Sequence, residues 1–133
     1  MNKRLAIKGH PTRGNEVIEI LEMLDGYKDS LLKNEDIYDD NYFYFILAEE
    51  NNAIDGYPLK YKDKVDEDYV IFTLEEFLER FPYKVGDEFC NPYDKITEMF
   101  WDDEDEWVYY KTEKSEGFIT ALDIMTDSYA RCR

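Results

Sequence analysis

Five consecutive carboxylates, Asp102-Asp103-Glu104-Asp105-Glu106, stand between Trp101 and Trp107. Apolar pairs flank this stretch on both sides, Met99-Phe100 before it and Val108-Tyr109 after it. Adjacent ionised side chains cannot be buried without partners, so the stretch must lie in water or against a basic surface. The pattern therefore predicts two β-strands joined by an ionised loop.

The net charge of the chain limits the kinds of partner that it can bind. The chain has 133 residues and a formal net charge of −16, and its first 14 residues contain no acid. A field of this sign repels phosphate backbones and accelerates association with basic proteins. Direct binding to DNA or RNA is therefore not expected. Hydrophobic content of 44% and aromatic content of 17% argue against disorder.

The first third of the chain predicts a strand, a loop and a helix. Leu5-Ala6-Ile7 is a short apolar strand, and the glycines and proline of residues 9–14 break it. Residues 17–24 place their apolar side chains on one helical stripe. We expect Thr12 or Asn15 to cap this helix and Gly26 to end it.

The middle of the chain adds strands and a second helix. Residues 42–47 and 69–72 are aromatic and aliphatic strands, Asp55-Gly56 is a turn signal, and residues 60–68 are a charged, exposed segment. Thr73 and Glu76 match a capping box, and the helix that they open ends before Pro82. These elements predict an α+β fold, a small sheet with two helices.

Short strands at roughly ten-residue spacing follow residue 83. They include residues 88–90, 96–101, 107–111 and 117–120, and residues 122–129 predict a final helix. With the turn Val85-Gly86-Asp87, residues 83–124 resemble SH3-like barrels of the KOW and Tudor kind. We expect an α+β part at residues 1–82 and an SH3-like β-barrel or meander at 83–133, or one continuous domain.

A second resemblance covers residues 8–14 with 17–24, and residues 72–78 before 83–87. These segments are similar to a group of small proteins of gut phages and mobile elements, whose function is uncharacterised. The resemblance supplies no catalytic residue. It implies an inhibitor of host defence, such as an anti-CRISPR protein.

The acidic stretch has several interpretations. Charged residues at a hairpin tip are commonly just solvated. Alternatively, residues 102–106 mimic phosphates and dock on Lys and Arg, with Trp101 and Trp107 as anchors if their rings reach the surface. A Ca²⁺ loop is disfavoured because the alternate acids and central glycine of an EF-hand are missing.

Residues 9–14 form the alternative site. The loop precedes a helix and carries Lys8, His10, Thr12 and Arg13, which suit a phosphate-bearing nucleotide. The Lys-Ser/Thr pair of a P-loop is absent. The plainer interpretation is a tight turn with surface cations.

Catalysis and metal binding have little support in the sequence. His10 is the only histidine, and Cys90 and Cys132 are far apart, so no metal-ligand spacing, disulfide framework or cofactor is expected. The strand tyrosines Tyr42, Tyr44, Tyr109 and Tyr110 have two interpretations. Some of them face outward and cage a cation, as in Tudor-like adaptors, or they pack against neighbouring strands.

The sequence thus predicts a non-enzymatic acidic protein that binds a basic, nucleic-acid-binding protein surface. The alternatives are a nucleotide-binding protein and an SH3/Tudor-like adaptor. No signal peptide or membrane-spanning run stands in the sequence, so we expect a cytoplasmic location and no membrane partner.

Overall fold

The computed structural model of the chain describes residues 3–29, 44–49, 52–90 and 93–126. The strands are β1 (Arg4–Lys8), β2 (Lys28–Asp29), β3 (Tyr44–Ala48), β4 (Ala53–Pro58), β5 (Tyr69–Phe72), β6 (Glu88–Cys90), β7 (Tyr93–Asp102) and β8 (Trp107–Thr112). The helices are α1 (Gly14–Met23), α2 (Lys62–Asp68), α3 (Leu74–Arg80) and α4 (Ala121–Thr126), with a 3₁₀ turn at Leu59–Tyr61. The α+β class is confirmed.

The larger sheet has five strands in the order β2-β4-β3-β1-β5. Strand β1 lies beside β3 in the antiparallel sense and beside β5 in the parallel sense. Alternate side chains of a strand point to opposite faces, so the sheet has two packed faces. On the first face lie Leu5 and Ile7; on the second lies Ala6.

The smaller sheet is an antiparallel meander, β6-β7-β8, and it packs on the first face of the larger one. One buried cluster joins both sheets with helices α1, α3 and α4, and includes Phe72, Phe77, Met99 and Tyr110. Within the described residues the meander does not close into a barrel. The expected strand at 117–120 is wrong: only Ile119 pairs, by a single bridge to Tyr110.

Helix α2 covers the second face of the larger sheet. Its Val65 is buried against Ala6, Phe45 and Leu47, whereas most of its other side chains are exposed. The segment 60–68 is exposed as expected, apart from Val65, and it forms the end of a 3₁₀ turn and a helix, which the sequence did not predict. The turn expected at Asp55-Gly56 is also wrong, because both residues lie inside β4.

Of the residues expected to cap or end helices α1 and α3, some do so and others do not. The capping box is confirmed, since the Thr73 side chain accepts from the Glu76 backbone N–H at 3.1 Å and the Glu76 carboxylate accepts from Thr73 N–H at 3.0 Å. Gly26 has a φ of 70° just after α1. The expected caps of α1 are wrong, because Arg13 stands at that position without a side-chain cap.

Candidate partner-binding site

The acidic tip, residues 102–106, is a hairpin turn with an ordered backbone. Asp102 pairs with Trp107 at its base. The Asp102 carboxylate turns inward and accepts from the backbone N–H groups of Glu104 (2.9 Å) and Asp105 (3.1 Å). Glu106 closes the turn with a φ of 54°, in the left-handed region. Asp102 therefore shapes the tip, and the carboxylates of Glu104, Asp105 and Glu106 project from it.

The projecting carboxylates have no cationic partner in the described part of the chain. Glu104, Asp105 and Glu106 are exposed, and none forms an ion pair with a described lysine or arginine. Asp105 accepts a hydrogen bond of 2.6 Å from the Tyr109 hydroxyl, which raises the pKa of that hydroxyl. The tip presents uncompensated negative charge on a fixed backbone.

The two tryptophans support the tip from inside the protein. Trp101 is only 7% exposed, its ring lies 6.3 Å from that of Phe72, and its indole N–H donates to the Lys3 carbonyl at 3.0 Å. Trp107 is half-buried, 4.9 Å from the ring of Phe81. The condition that these rings reach the surface is therefore not met by Trp101, and Trp107 is largely used within the core.

Other aromatic side chains lie on the outer face of the smaller sheet beside the tip. Phe100 and Tyr109 are paired across β7 and β8 and their rings stack at 5.4 Å. Phe118 packs edge-on against Phe100 at 4.4 Å and is 48% exposed. We call Phe100, Tyr109 and Phe118 the outer aromatic group. Strict alternation with buried Met99 and Trp101 was the signal in the sequence that places Phe100 outside.

Acidic side chains are exposed on other elements as well. They include Glu19 and Glu22 on α1, Asp63, Asp66, Glu67 and Asp68 on α2, and Glu75, Glu76 and Glu79 on α3. Of these, only Glu75 is paired with a described basic side chain, His10. The tip is the densest point of an acidic surface rather than an isolated charge.

The donors of loop 9–14 are engaged within the chain. Nδ1 of His10 accepts from the backbone N–H groups of Thr12 (3.1 Å) and Arg13 (3.0 Å). The proton of a neutral ring is then on Nε2, which donates to Glu75 at 2.8 Å. The Glu75 backbone N–H and the His10 ring lower the pKa of this carboxyl. His10 thus organises the loop.

Arg13 is likewise occupied. Its guanidinium Nε donates to Glu16 Oε2 at 2.7 Å, and Lys84 donates to the other oxygen of Glu16 at 2.9 Å. These hydrogen bonds lower the pKa of Glu16 to about 2 and raise the pKa of Arg13. A phosphate bound at Arg13 would lie beside the Glu16 carboxylate, which repels it.

Lys8 is the remaining cation proposed for the alternative site. It is exposed on the rim of two open cavities of about 480 and 390 Å³. Asp66 and Glu76 line the larger cavity and Glu75 the smaller one. Lys62 adds a second cation to the larger cavity, but the carboxylates offset the lysines there, so neither cavity presents the excess of positive charge that a phosphate needs.

The remaining sequence candidates divide between core and undescribed residues. Tyr110 is buried and Tyr44 packs against the core cluster. Tyr42 and Cys132 lie outside the described residues, as does the side chain of Cys90. In the described part of the chain, no group of three or more His, Cys, Asp or Glu residues could hold a metal ion, and no helix is long and apolar enough to span a membrane.

Comparisons of the chain with protein-family models, with curated proteins and with solved structures find no match.

Proposed function

We propose that this chain is a non-enzymatic acidic binding protein that occupies the basic, nucleic-acid-binding surface of another protein. The observation that carries the proposal is the acidic tip: exposed carboxylates that have no cationic partner among the described residues, held on a backbone that Asp102 fixes. A preorganised array binds with a smaller entropic cost than a flexible acidic tail.

The outer aromatic group supplies the apolar contact that charge alone lacks. Rim charges mainly set the rate of association, whereas central aromatic side chains dominate affinity in protein interfaces. Phe118 is 48% exposed and lies beside Phe100 and Tyr109, and Tyr109 is hydrogen-bonded to the tip through Asp105. In this proposal these rings take the role of apolar anchors that was expected of Trp101 and Trp107.

More specifically, we propose that the chain is a phage or mobile-element inhibitor of a host nuclease, such as a CRISPR effector, and acts in the host cytoplasm. This proposal is supported by the resemblance to small gut-phage proteins and by the sign of the charge, −16 for the whole chain. Such a protein would compete with nucleic acid for the same lysines and arginines, without contacting nucleic acid itself.

The test is displacement of labelled DNA or RNA from a panel of nucleic-acid-binding nucleases that includes CRISPR effectors, at low and high salt. The double variant Glu104→Lys and Glu106→Lys leaves the Asp102 turn intact. Its matched control, Glu19→Lys with Glu22→Lys, makes the same charge change on exposed positions of α1. We expect displacement by the wild-type protein and by the control, and a loss of at least about tenfold in the tip variant.

Two results would contradict the proposal. One is equal loss in both double variants, which would show that total charge rather than the tip governs binding. The other is the absence of displacement from every nuclease at low salt, where electrostatic attraction is strongest.

A second candidate is an SH3/Tudor-like adaptor that holds a cationic peptide on the outer aromatic group. The stacked Phe100–Tyr109 pair favours it, since aromatic faces attract Lys and Arg. It also needs the SH3-like assignment of residues 83–124, which is likewise a proposal. Binding of basic peptides that Phe118→Ala weakens, and that the tip variant leaves unchanged, would favour the adaptor over the inhibitor.

A further inference from the structure

A cavity of about 460 Å³ lies between helix α2 and the second face of the five-stranded sheet. Leu47 of β3 and Val65 of α2, both buried, contribute apolar surface to it. Its volume falls within the range of small-molecule sites, roughly 300–1,000 Å³, which are commonly apolar clefts with a few convergent polar groups. None of its lining residues belongs to the acidic tip or to the outer aromatic group, so what it binds is independent of the proposed function.

Carboxylates line this cavity from two elements. Asp55 lies opposite Leu47 in the β3–β4 register, which places it on the covered face of the sheet, and Glu49 follows β3. Glu67 and Asp68 face them from α2. Glu49 and Asp55 are half-buried, yet neither forms an ion pair with a described lysine or arginine.

The guanidinium of Arg4 is directed at other groups. Arg4 donates to the backbone carbonyls of Ala48 and Glu49 and to the Tyr27 hydroxyl, rather than to the Glu49 carboxylate. Among the described residues, the Asp55 carboxylate accepts from the neighbouring Gly56 N–H, at 2.8 Å, and from no other group. A ligand cation would supply an ion-pair partner to these half-buried carboxylates, which have none among the described residues.

Tyrosine rings complete the cavity wall. The Tyr69 hydroxyl donates to Glu49, and burial together with that carboxylate raises the pKa of Tyr69, so the ring remains neutral. Tyr57 lines the cavity and packs against Tyr61 at 5.2 Å. Over the Tyr61 ring lie the ammonium groups of two of the chain's own lysines, Lys60 at 5.0 Å and Lys64 at 5.8 Å. This aromatic corner therefore already attracts alkylammonium groups.

We propose that the cavity binds a small organic ammonium compound of the diamine or polyamine class. Carboxylates on two walls provide charge for the ammonium groups, while tyrosine faces and the surface of Leu47 and Val65 accommodate the alkyl chain. Anions are repelled by the same carboxylates. An inorganic cation would use the oxygens and leave the rings and the apolar surface uncovered. Lys64, the one cation in the lining, competes with the ligand.

The experiment is isothermal titration of the full chain with spermidine at moderate salt. The pocket variant, Glu49→Gln with Asp55→Asn, keeps both hydrogen-bond acceptors and removes two charges. Glu104→Gln with Glu106→Gln removes two charges at the exposed acidic tip and is the matched control. We expect one-to-one binding that the pocket variant weakens at least about tenfold and that the control changes by less than about twofold.

A second variant keeps the test decisive if the pocket variant does not fold. Lys64 is exposed on α2, and Lys64→Met should tighten spermidine binding several-fold because it removes the competing charge. Weaker or unchanged binding in this variant, no binding by the wild-type protein, or equal weakening by pocket variant and control would overturn the proposal. So would a lysine-rich peptide that binds more tightly than spermidine and is weakened by the pocket variant but not by the control, which would assign the cavity to a protein side chain.

Discussion

Removing the negative charge of Glu16 should destabilise the protein in a way that depends on pH. Its carboxylate accepts from Arg13 at 2.7 Å and from Lys84 at 2.9 Å, and so joins the loop before α1 to the segment that follows α3. In the Glu16→Gln variant the amide oxygen can keep one of these contacts, but the attraction between opposite charges is lost. The free energy of unfolding should fall accordingly.

The expected loss of unfolding free energy can be bounded from the pKa of Glu16. Hydrogen bonds from Arg13 and Lys84 lower the pKa of Glu16 from 4.5 to about 2, which sets a ceiling of about 3.4 kcal/mol at about 1.36 kcal/mol for each pKa unit. The side chains of Arg13 and Lys84 are 43% and 34% exposed, so solvent screens both pairs. Exposed pairs contribute about 0.2–1 kcal/mol each, and we expect a loss of about 1–2 kcal/mol at pH 7.

The sign of the pH dependence is fixed by the direction of the shift. Because the pKa of Glu16 is lower in the folded state, its stabilisation is fully present above the unfolded pKa, 4.5. It is lost as the pH falls toward about 2, where the wild-type carboxyl becomes neutral like the amide of the variant. The difference between the two proteins should therefore shrink over this window.

Urea denaturation followed by circular dichroism at several pH values measures this difference. Glu19→Gln is the matched control, because Glu19 lies on the same helix, is exposed and forms no described ion pair. Its effect should stay within about 0.5 kcal/mol at every pH. A Glu16→Gln loss that is the same at pH 7 and at pH 2.5, or that matches the loss in Glu19→Gln, would refute the assignment.

Two further predictions concern stability at neutral pH, measured by urea denaturation. Trp101→Ala should cost about 3–5 kcal/mol, because it removes a buried ring that packs on Phe72 and a hydrogen bond to the Lys3 carbonyl; a cost below about 1 kcal/mol would return Trp101 to the list of surface anchors. Thr73→Ala should cost about 1 kcal/mol through loss of the capping box, whereas Thr73→Ser should largely preserve stability.

Structural features that depend on residues close together in the sequence could be predicted from it. The capping box at Thr73 and the apolar stripe of α1 act within one or two turns of chain, so the residues that carry them are neighbours in the sequence. The antiparallel pairing around the acidic tip was also predictable, because the apolar runs on either side are in register across a short loop. These features need no knowledge of the tertiary structure.

Predictions from the sequence were wrong or missing where tertiary packing outweighs the local preference of the chain. Asp55-Gly56 is a common turn sequence, yet β4 continues through it because β3 pairs with it along its length. Helix α2 has one buried apolar residue, Val65, and so gives almost no periodic signal. In the same way, no local rule shows that the His10 ring replaces Thr12 or Asn15 in organising the start of α1.

The candidate site also combines a feature that the sequence predicts with one that depends on tertiary packing. The second feature changes the role expected of the tryptophans. The charge of the tip could be predicted from residues 102–106 alone, but the facing of Trp101 depends on the core that Phe72 provides and on the carbonyl of Lys3. Because the tryptophans are held inside, the hairpin is fixed at its base, and carboxylates that repel one another can project from a rigid turn. A tip with its tryptophans outside would gain two anchors and lose that support. The buried Trp101 therefore favours a binding surface made of the exposed carboxylates and the outer aromatic group.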